Sequence, residues 1–278
     1  MQPAAAADIP VKAVPAVPLA VTTGFFGYIE GMYVVDPGDS AGQFPNTLPG
    51  TSPRASPGHG FGGAFLVGYR FAGPWDVAFG MHHTRFQSGA REPFPGCTPN
   101  FTQMTDPRIT SADGSIGYNI STGTSETRFY AGVRYAQWKH HLNDTCNGRQ
   151  NDAETTAVGP RIGFDHSFKL GATTSMIMGG NGSILFADVE DNVTTVPAGA
   201  LVGSSKRDRT VFQAGAHIAL GWQVTPLMTL AAGYKLDAWH GMLSNQMGFS
   251  AATGIGGGNS NVIEHGPFVR ASYNFGVK

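Results

Sequence analysis

Charged side chains are scarce in this sequence: 18 lysines and arginines and 19 aspartates and glutamates in 278 residues. Each one set among apolar neighbours therefore carries information. Glu30, Arg134, Arg161, His217, Lys235, Asp237 and Arg270 all interrupt apolar runs, and each shares the parity of the smaller, more polar residues beside it. Such groups could act as an electrostatic filter for small solutes, or as mutually paired charges that lock a structure. Arg70 and Asp76 flank the Ala72–Pro74 turn with equal parity, the placement of a cross-strand ion pair. Other candidates are weaker. The doublets His82-His83 and His140-His141 offer imidazoles to a metal, but in an extended chain the two members of a doublet point to opposite faces. Asp237, His240 and Glu264-His265 are the residue types of a hydrolytic site, yet Asp237 and His240 differ in parity and no DxD pair accompanies them. GIGGGN (254–259) lacks a following helix and reads as a loop, and Asp188, Glu190 and Asp191 read as a solvated loop. The expectation is that the chain is not an enzyme and has no metal site and no cofactor.

What positions these residues is alternation with period two, which recurs along the chain where helical spacing does not. In 126–142, Phe129, Ala131, Val133 and Tyr135 share one parity, and Arg128, Tyr130, Gly132 and Arg134 the other. The same pattern marks 156–168, 210–224, 228–242 and the C-terminal segment, with weaker versions at 24–35, 61–71, 75–87, 111–120 and 172–188. That makes ten strands, with eight or twelve as alternatives. The connections alternate in length. Those at 72–74, 121–125, 169–171 and 225–226 are tight, while 37–59, 88–109, 143–152, 189–206 and 243–261 are long and rich in Gly, Pro, Ser and Asn. Short turns on one side and long loops on the other predict an all-β fold, a single antiparallel transmembrane β-barrel with termini in the periplasm. Trp75, Trp138, Trp222, Trp239, Tyr33 and Tyr69 lie at strand ends, where interfacial aromatic girdles are expected.

Composition agrees. Charged residues are 13% of the chain, aromatics 11%, and glycines number 39. No run approaches the roughly 20 apolar residues of a membrane-crossing helix, and a disordered chain would be richer in charge. A net charge of −1 gives no pull toward nucleic acid. Residues 1–22 are rich in Pro and Ala and read as a periplasmic tail, leaving 23–278 as the barrel. Cys97 and Cys146 fall in neighbouring long loops and are candidates for a disulfide in an oxidising compartment.

The stretches RFYAGVRYAQW (128–138) and TAVGPRIGFDHSF (156–168) resemble the central hairpin of the Legionella-type major outer membrane protein family. VFQAGAHIALGW (211–222), LMTLAAGYKLDAWHGM (227–242) and EHGPFVRASYNFG (264–276) resemble its last three strands, and FFGYIEGMYVVDPG (25–38) its first. The resemblance implies a bacterial outer-membrane barrel, porin-like or a surface protein, with no catalytic residues to carry over.

Counting up from the short turns puts Arg134, Arg161, His217, Lys235 and Arg270 at about one height, with Glu30 beside them and Asp237 slightly above. The expectation is a lumen belt with more cation than anion, Glu30 facing Arg270 where the last strand closes on the first. Arg70 and Asp76 form a lower pair. Two functions follow. One is a narrow porin-like channel for small polar or anionic solutes. The other is a plugged structural barrel whose long extracellular loops serve adhesion or dock a partner protein. The surrounding partners would be outer-membrane lipid and lipopolysaccharide.

Overall fold

The structure is a computed structural model, and it describes residues 23–35, 42–43, 54–55, 58–87, 92–93, 101–144, 149–195, 201–243 and 260–275. Ten strands carry the fold: β1 (Gly24–Val35), β2 (His59–Arg70), β3 (Trp75–Phe86), β4 (Phe101–Thr122), β5 (Ser125–Asp144), β6 (Arg149–Lys169), β7 (Thr174–Thr195), β8 (Leu201–Thr225), β9 (Met228–Leu243) and β10 (Ser260–Asn274). Each pairs antiparallel with its sequence neighbour, and β1 pairs with β10 from Phe26↔Asn274 to Val35↔His265. The sheet therefore closes on itself and has no free edge, the condition for spanning lipid with strands. Three two-residue strands, Gly42–Gln43, Arg54–Ala55 and Glu92–Pro93, lie among the long connections. Residues 1–22, Cys97 and Cys146 lie outside the described residues.

Tight turns join β2 to β3, β4 to β5, β6 to β7 and β8 to β9. Gly73 holds φ +125° in the first of them, a conformation L side chains rarely adopt. At the other end several strands run further than alternation predicts. β4 begins at Phe101, β5 reaches Asp144 and β6 resumes at Arg149, while β7 ends at Thr195 and β8 starts at Leu201. Much of the segments read as loops at 88–109, 143–152 and 189–206 is therefore strand. The reason is physical. An apolar outer face at least ten residues tall suffices to cross an apolar band about 25 Å tall. A 22-residue strand rises about 55 Å at the usual rise and tilt, so its far half stands in water and loses the greasy outer face that signals a strand in lipid.

The two halves are inverted in polarity. Near the turns the outside is apolar, as with Phe79, Ile116, Phe129, Val133, Ile162 and Val269, all exposed. The same strands carry Asp76, Arg128 and Arg134 inward and buried. Further up, the outward residues become His83, Arg85, Gln137, Lys139, Asp188 and Lys206, while the inward ones become Phe86, Ile109, Trp138, Leu185 and Val211. The far half is built like a water-soluble barrel, polar outside around an inner apolar cluster, with Asp191, Arg207 and Arg209 also facing inward beyond that cluster. There Glu190 pairs with Lys206 and accepts from Asn192, and these bonds hold its carboxyl below the usual range.

Two of the expected girdle residues belong to that core. Trp138 and Trp239 are 0% and 1% exposed and point inward. Their parity already required it: Trp138 shares the parity of Arg134, and Trp239 that of Lys235 and Asp237. Trp75, Trp222 and Tyr33 do face outward, and Tyr69 packs edge-on against Phe25 and Phe71.

Candidate functional site

The belt is assembled by register. Glu30 on β1 stands directly opposite Arg270 on β10, whose Nε and Nη2 donate to Glu30 Oε2 at 2.8 and 2.6 Å. Lys235 Nζ lies 3.6 Å from Glu30 Oε1 and 3.3 Å from Asp237 Oδ2, so one lysine bridges two carboxylates. His217 is the register partner of Lys235. Arg134 sits opposite Asp113 and grips it through two bonds of 2.6 and 3.1 Å, and Arg161 Nη1 reaches the same carboxylate at 2.8 Å. The seven residues singled out in the sequence thus converge in the lumen. They converge with two acids left out of the expected belt, Asp113 and Asp165, so the belt carries no excess of cation. Arg134, Arg161, Lys235 and Arg270 face Glu30, Asp113, Asp165 and Asp237. Asp113 was hidden because its segment, SADGSIGYNI (111–120), is small or polar on both faces around it.

Arg70 and Asp76 are register partners, but they do not pair with each other. Asp76, fully buried, accepts from Arg128 Nε and Nη2 at 2.6–3.0 Å and from Asn119 Nδ2 at 2.6 Å. Arg70 turns to Glu126 at 2.7 Å and to Asn119 Oδ1 at 3.1 Å. The cause is Gly117 on β4, the strand between Asp76 and Arg128. A Cβ there would lie 2.5 Å from both Arg128 Nε and Asp76 Oδ1, so only the bare backbone lets Arg128 cross β4 to its acid. Gly179, between Asp165 and His217, and Gly215, between Asn181 and Asp237, open the same kind of passage. Inward glycines join side chains that stand two strands apart.

The arginines are also stacked on rings. Arg270 lies 4.2 Å from the Tyr28 centroid, Arg128 and Arg161 each 4.9 Å from that of Tyr130, and Arg134 5.6 Å from that of Trp239. Such stacking suits guanidinium groups in a poorly hydrated space. Above the belt, Met32, Val34, Phe86, Ile109, Trp138, Leu185, Val211, Trp239, Met242 and Val262 form one buried apolar cluster across the lumen. Trp239 ties the layers together, since its Nε1 donates to Glu264 Oε1 at 3.1 Å. Trp138 Nε1 donates to His140 Nδ1 at 2.8 Å. The doublets divide as parity requires, with His82 and His140 inward and His83 and His141 outward on Thr110 and Asp152.

Within the belt a cavity of about 70 Å³ remains, lined by residues such as Asp113, Arg134, Arg161, Asn181 and Lys235. At the turn end a vestibule of about 530 Å³ is lined by Phe26, Tyr28, Arg70, Arg128, Asp165 and Arg270 among others. The vestibule lies on the turn side of the belt, and the buried apolar cluster lies on the other side. Among the described residues no group of His, Cys, Asp and Glu is arranged to hold a metal.

Comparison with known proteins agrees with this architecture. The family model described as Legionella pneumophila major outer membrane protein precursor matches residues 37–275. Among solved structures, the outer membrane protease OmpT from Escherichia coli superposes with a TM-score of 0.50 at 10% identity, covering 91% of this chain and 95% of that one. The translocator domain of the autotransporter NalP from Neisseria meningitidis gives a TM-score of 0.42 at 9% identity, with 91% and 89% covered. The toluene transporter TodX from P. putida gives 0.34 at 10% identity, with 93% and 91% covered. At 10% identity the likeness to the protease concerns the fold alone. No curated protein matches the chain in sequence.

Proposed function

Because this chain belongs to the Legionella pneumophila major outer membrane protein family and is an outer-membrane β-barrel, we propose that it works as a closed barrel whose far half presents a rigid surface outside the cell. In this reading the short turns and both termini face the periplasm, and the long connections serve adhesion or the docking of a partner protein. One observation carries it: the apolar cluster around Trp138 and Trp239 fills the lumen directly above a belt whose charges are spent on one another. A ten-stranded barrel has an interior little wider than its own side chains, so paired charges and a dry layer leave no standing water path. No step of catalysis is part of this role.

The porin-like reading draws support from the vestibule, which brings water to the belt from one side. It requires the apolar layer to part as a gate. The balance of acids and cations in the belt removes the basis for anion preference. Liposome swelling separates the two readings. Proteoliposomes holding the folded barrel should shrink and stay shrunken in small sugars and in small organic anions, at the rate of empty liposomes. Re-swelling in step with solute size would favour the channel.

A further inference from the structure

The outer surface ends its apolar band in ordered rows. Across β3, β4 and β5, Met81, Ala112 and Tyr135 stand in register, His83, Thr110 and Gln137 form the row above, and Arg85, Arg108 and Lys139 the next. All face outward. Three cations on three consecutive strands thus share one row, which continues as Glu154 on β6 and Glu190 on β7. A fourth cation, Lys206 on β8, follows Glu190 in the row and pairs with it, apart from the other three.

Their height is informative. Arg85 lies ten residues beyond Trp75 at the tight-turn end, a rise of about 25 Å, which is the height of the apolar band itself. The row therefore lies where headgroup phosphates of the far leaflet sit. Its local geometry favours an anion. Asp106, at φ +49° in an irregularity of β4, accepts from Arg85 Nε at 2.8 Å and lies 3.5 Å from Arg108 Nη1. One carboxylate thus serves two guanidinium groups and holds them side by side. The Arg85 side chain is still 68% exposed. Exposed ion pairs contribute little to stability, so folding alone gives no reason for this arrangement. Guanidinium forks match phosphate oxygens in pairs, and Lys139, which also pairs with Glu154 at 3.0 Å, adds a point charge beside them. Directly beneath, Phe79, Met81, Val133 and Tyr135 offer an apolar wall for acyl chains, which a free phosphate would not use.

We propose that Arg85, Arg108 and Lys139 form a docking site for the phosphates of an outer-leaflet glycolipid of the lipid A type. The proposal rests on the outer-membrane reading above, with the long connections outside. The test uses the full chain folded in detergent, with folding verified by heat-modifiable migration. Retention of bisphosphorylated and of dephosphorylated lipid A is read by native mass spectrometry, with inorganic phosphate as competitor. Bisphosphorylated lipid A should be retained roughly tenfold or more better than the dephosphorylated form, and the triple variant Arg85→Gln/Arg108→Gln/Lys139→Gln should lose that advantage. Lys206→Gln, on β8, should keep it. Equal retention of the two lipids, undiminished retention by the folded triple variant, or displacement by inorganic phosphate at matched concentration would overturn the proposal. Orientation is read separately, by antibody binding on intact cells to an epitope inserted at residues 145–148. An unreached epitope would refute an outer-leaflet ligand even if lipid A binds in detergent.

Discussion

Replacing Asp76 with alanine is expected to destabilise the folded barrel by about 3–5 kcal/mol. Asp76 is fully buried and takes both Arg128 Nε and Nη2, with Asn119 on its second side. Without it the Arg128 guanidinium, 9% exposed, keeps the Tyr130 ring at 4.9 Å, Ser115 Oγ at 3.3 Å and Asp165 at 3.9 Å, none of which replaces a bidentate acid. A charge left unpaired in such a site costs far more than the pair contributes, because it has lost water without gaining a partner. The double replacement Asp76→Leu/Arg128→Met should recover most of the loss, since it removes both charges together. Urea unfolding in detergent, followed by tryptophan fluorescence, gives the measurement. A change within about 1 kcal/mol for Asp76→Ala would mean that vestibule water already solvates Arg128, and that the pair is a surface one.

The apolar layer gives the second large effect. Trp138→Ala and Trp239→Ala should each destabilise by about 3–5 kcal/mol, from lost burial and the cavity left behind. Each loss also strips a hydrogen bond from a buried acceptor, His140 Nδ1 in one case and Glu264 Oε1 in the other. Combined, the two changes remove the widest side chains between belt and exterior. The double variant should therefore make liposomes leaky to ions while it still migrates as a folded, heat-modifiable barrel. If both single variants unfold at the wild-type denaturant concentration, the layer is not a packed core and the closed-lumen account loses its basis.

Legibility in the sequence followed the solvent. Where the barrel crosses lipid, the outer face must be apolar, so 128–138 and 211–222 announce their strands and their inward arginines and histidine by parity alone. Glu30 and Arg270 could be matched across the closing seam because each is the lone inward charge at its height on the two terminal strands. Above the lipid the signal reverses. In 104–110 and 203–210 the outer face is polar and the sequence resembles a loop, although the strands continue, over apolar Met104 and Ile109 in the first and over Arg207 and Arg209 in the second. The Arg70–Asp76 assignment failed for a different reason. Adjacency identifies which residues are neighbours, but the bare Gly117 lets an arginine from the next strand over compete, and a bidentate grip prevails. Trp138 and Trp239 were assigned to a girdle by residue type when parity had already placed them inside.

Single-channel recording in planar bilayers tests the closed lumen most directly. The purified barrel, inserted and shown to be folded by heat-modifiable migration, should give no discrete conductance steps in concentrated salt at moderate voltage, while the Trp138→Ala/Trp239→Ala variant should give them. Reproducible steps from the unaltered protein, scaling with salt concentration, would contradict the account and establish a standing water path through the belt.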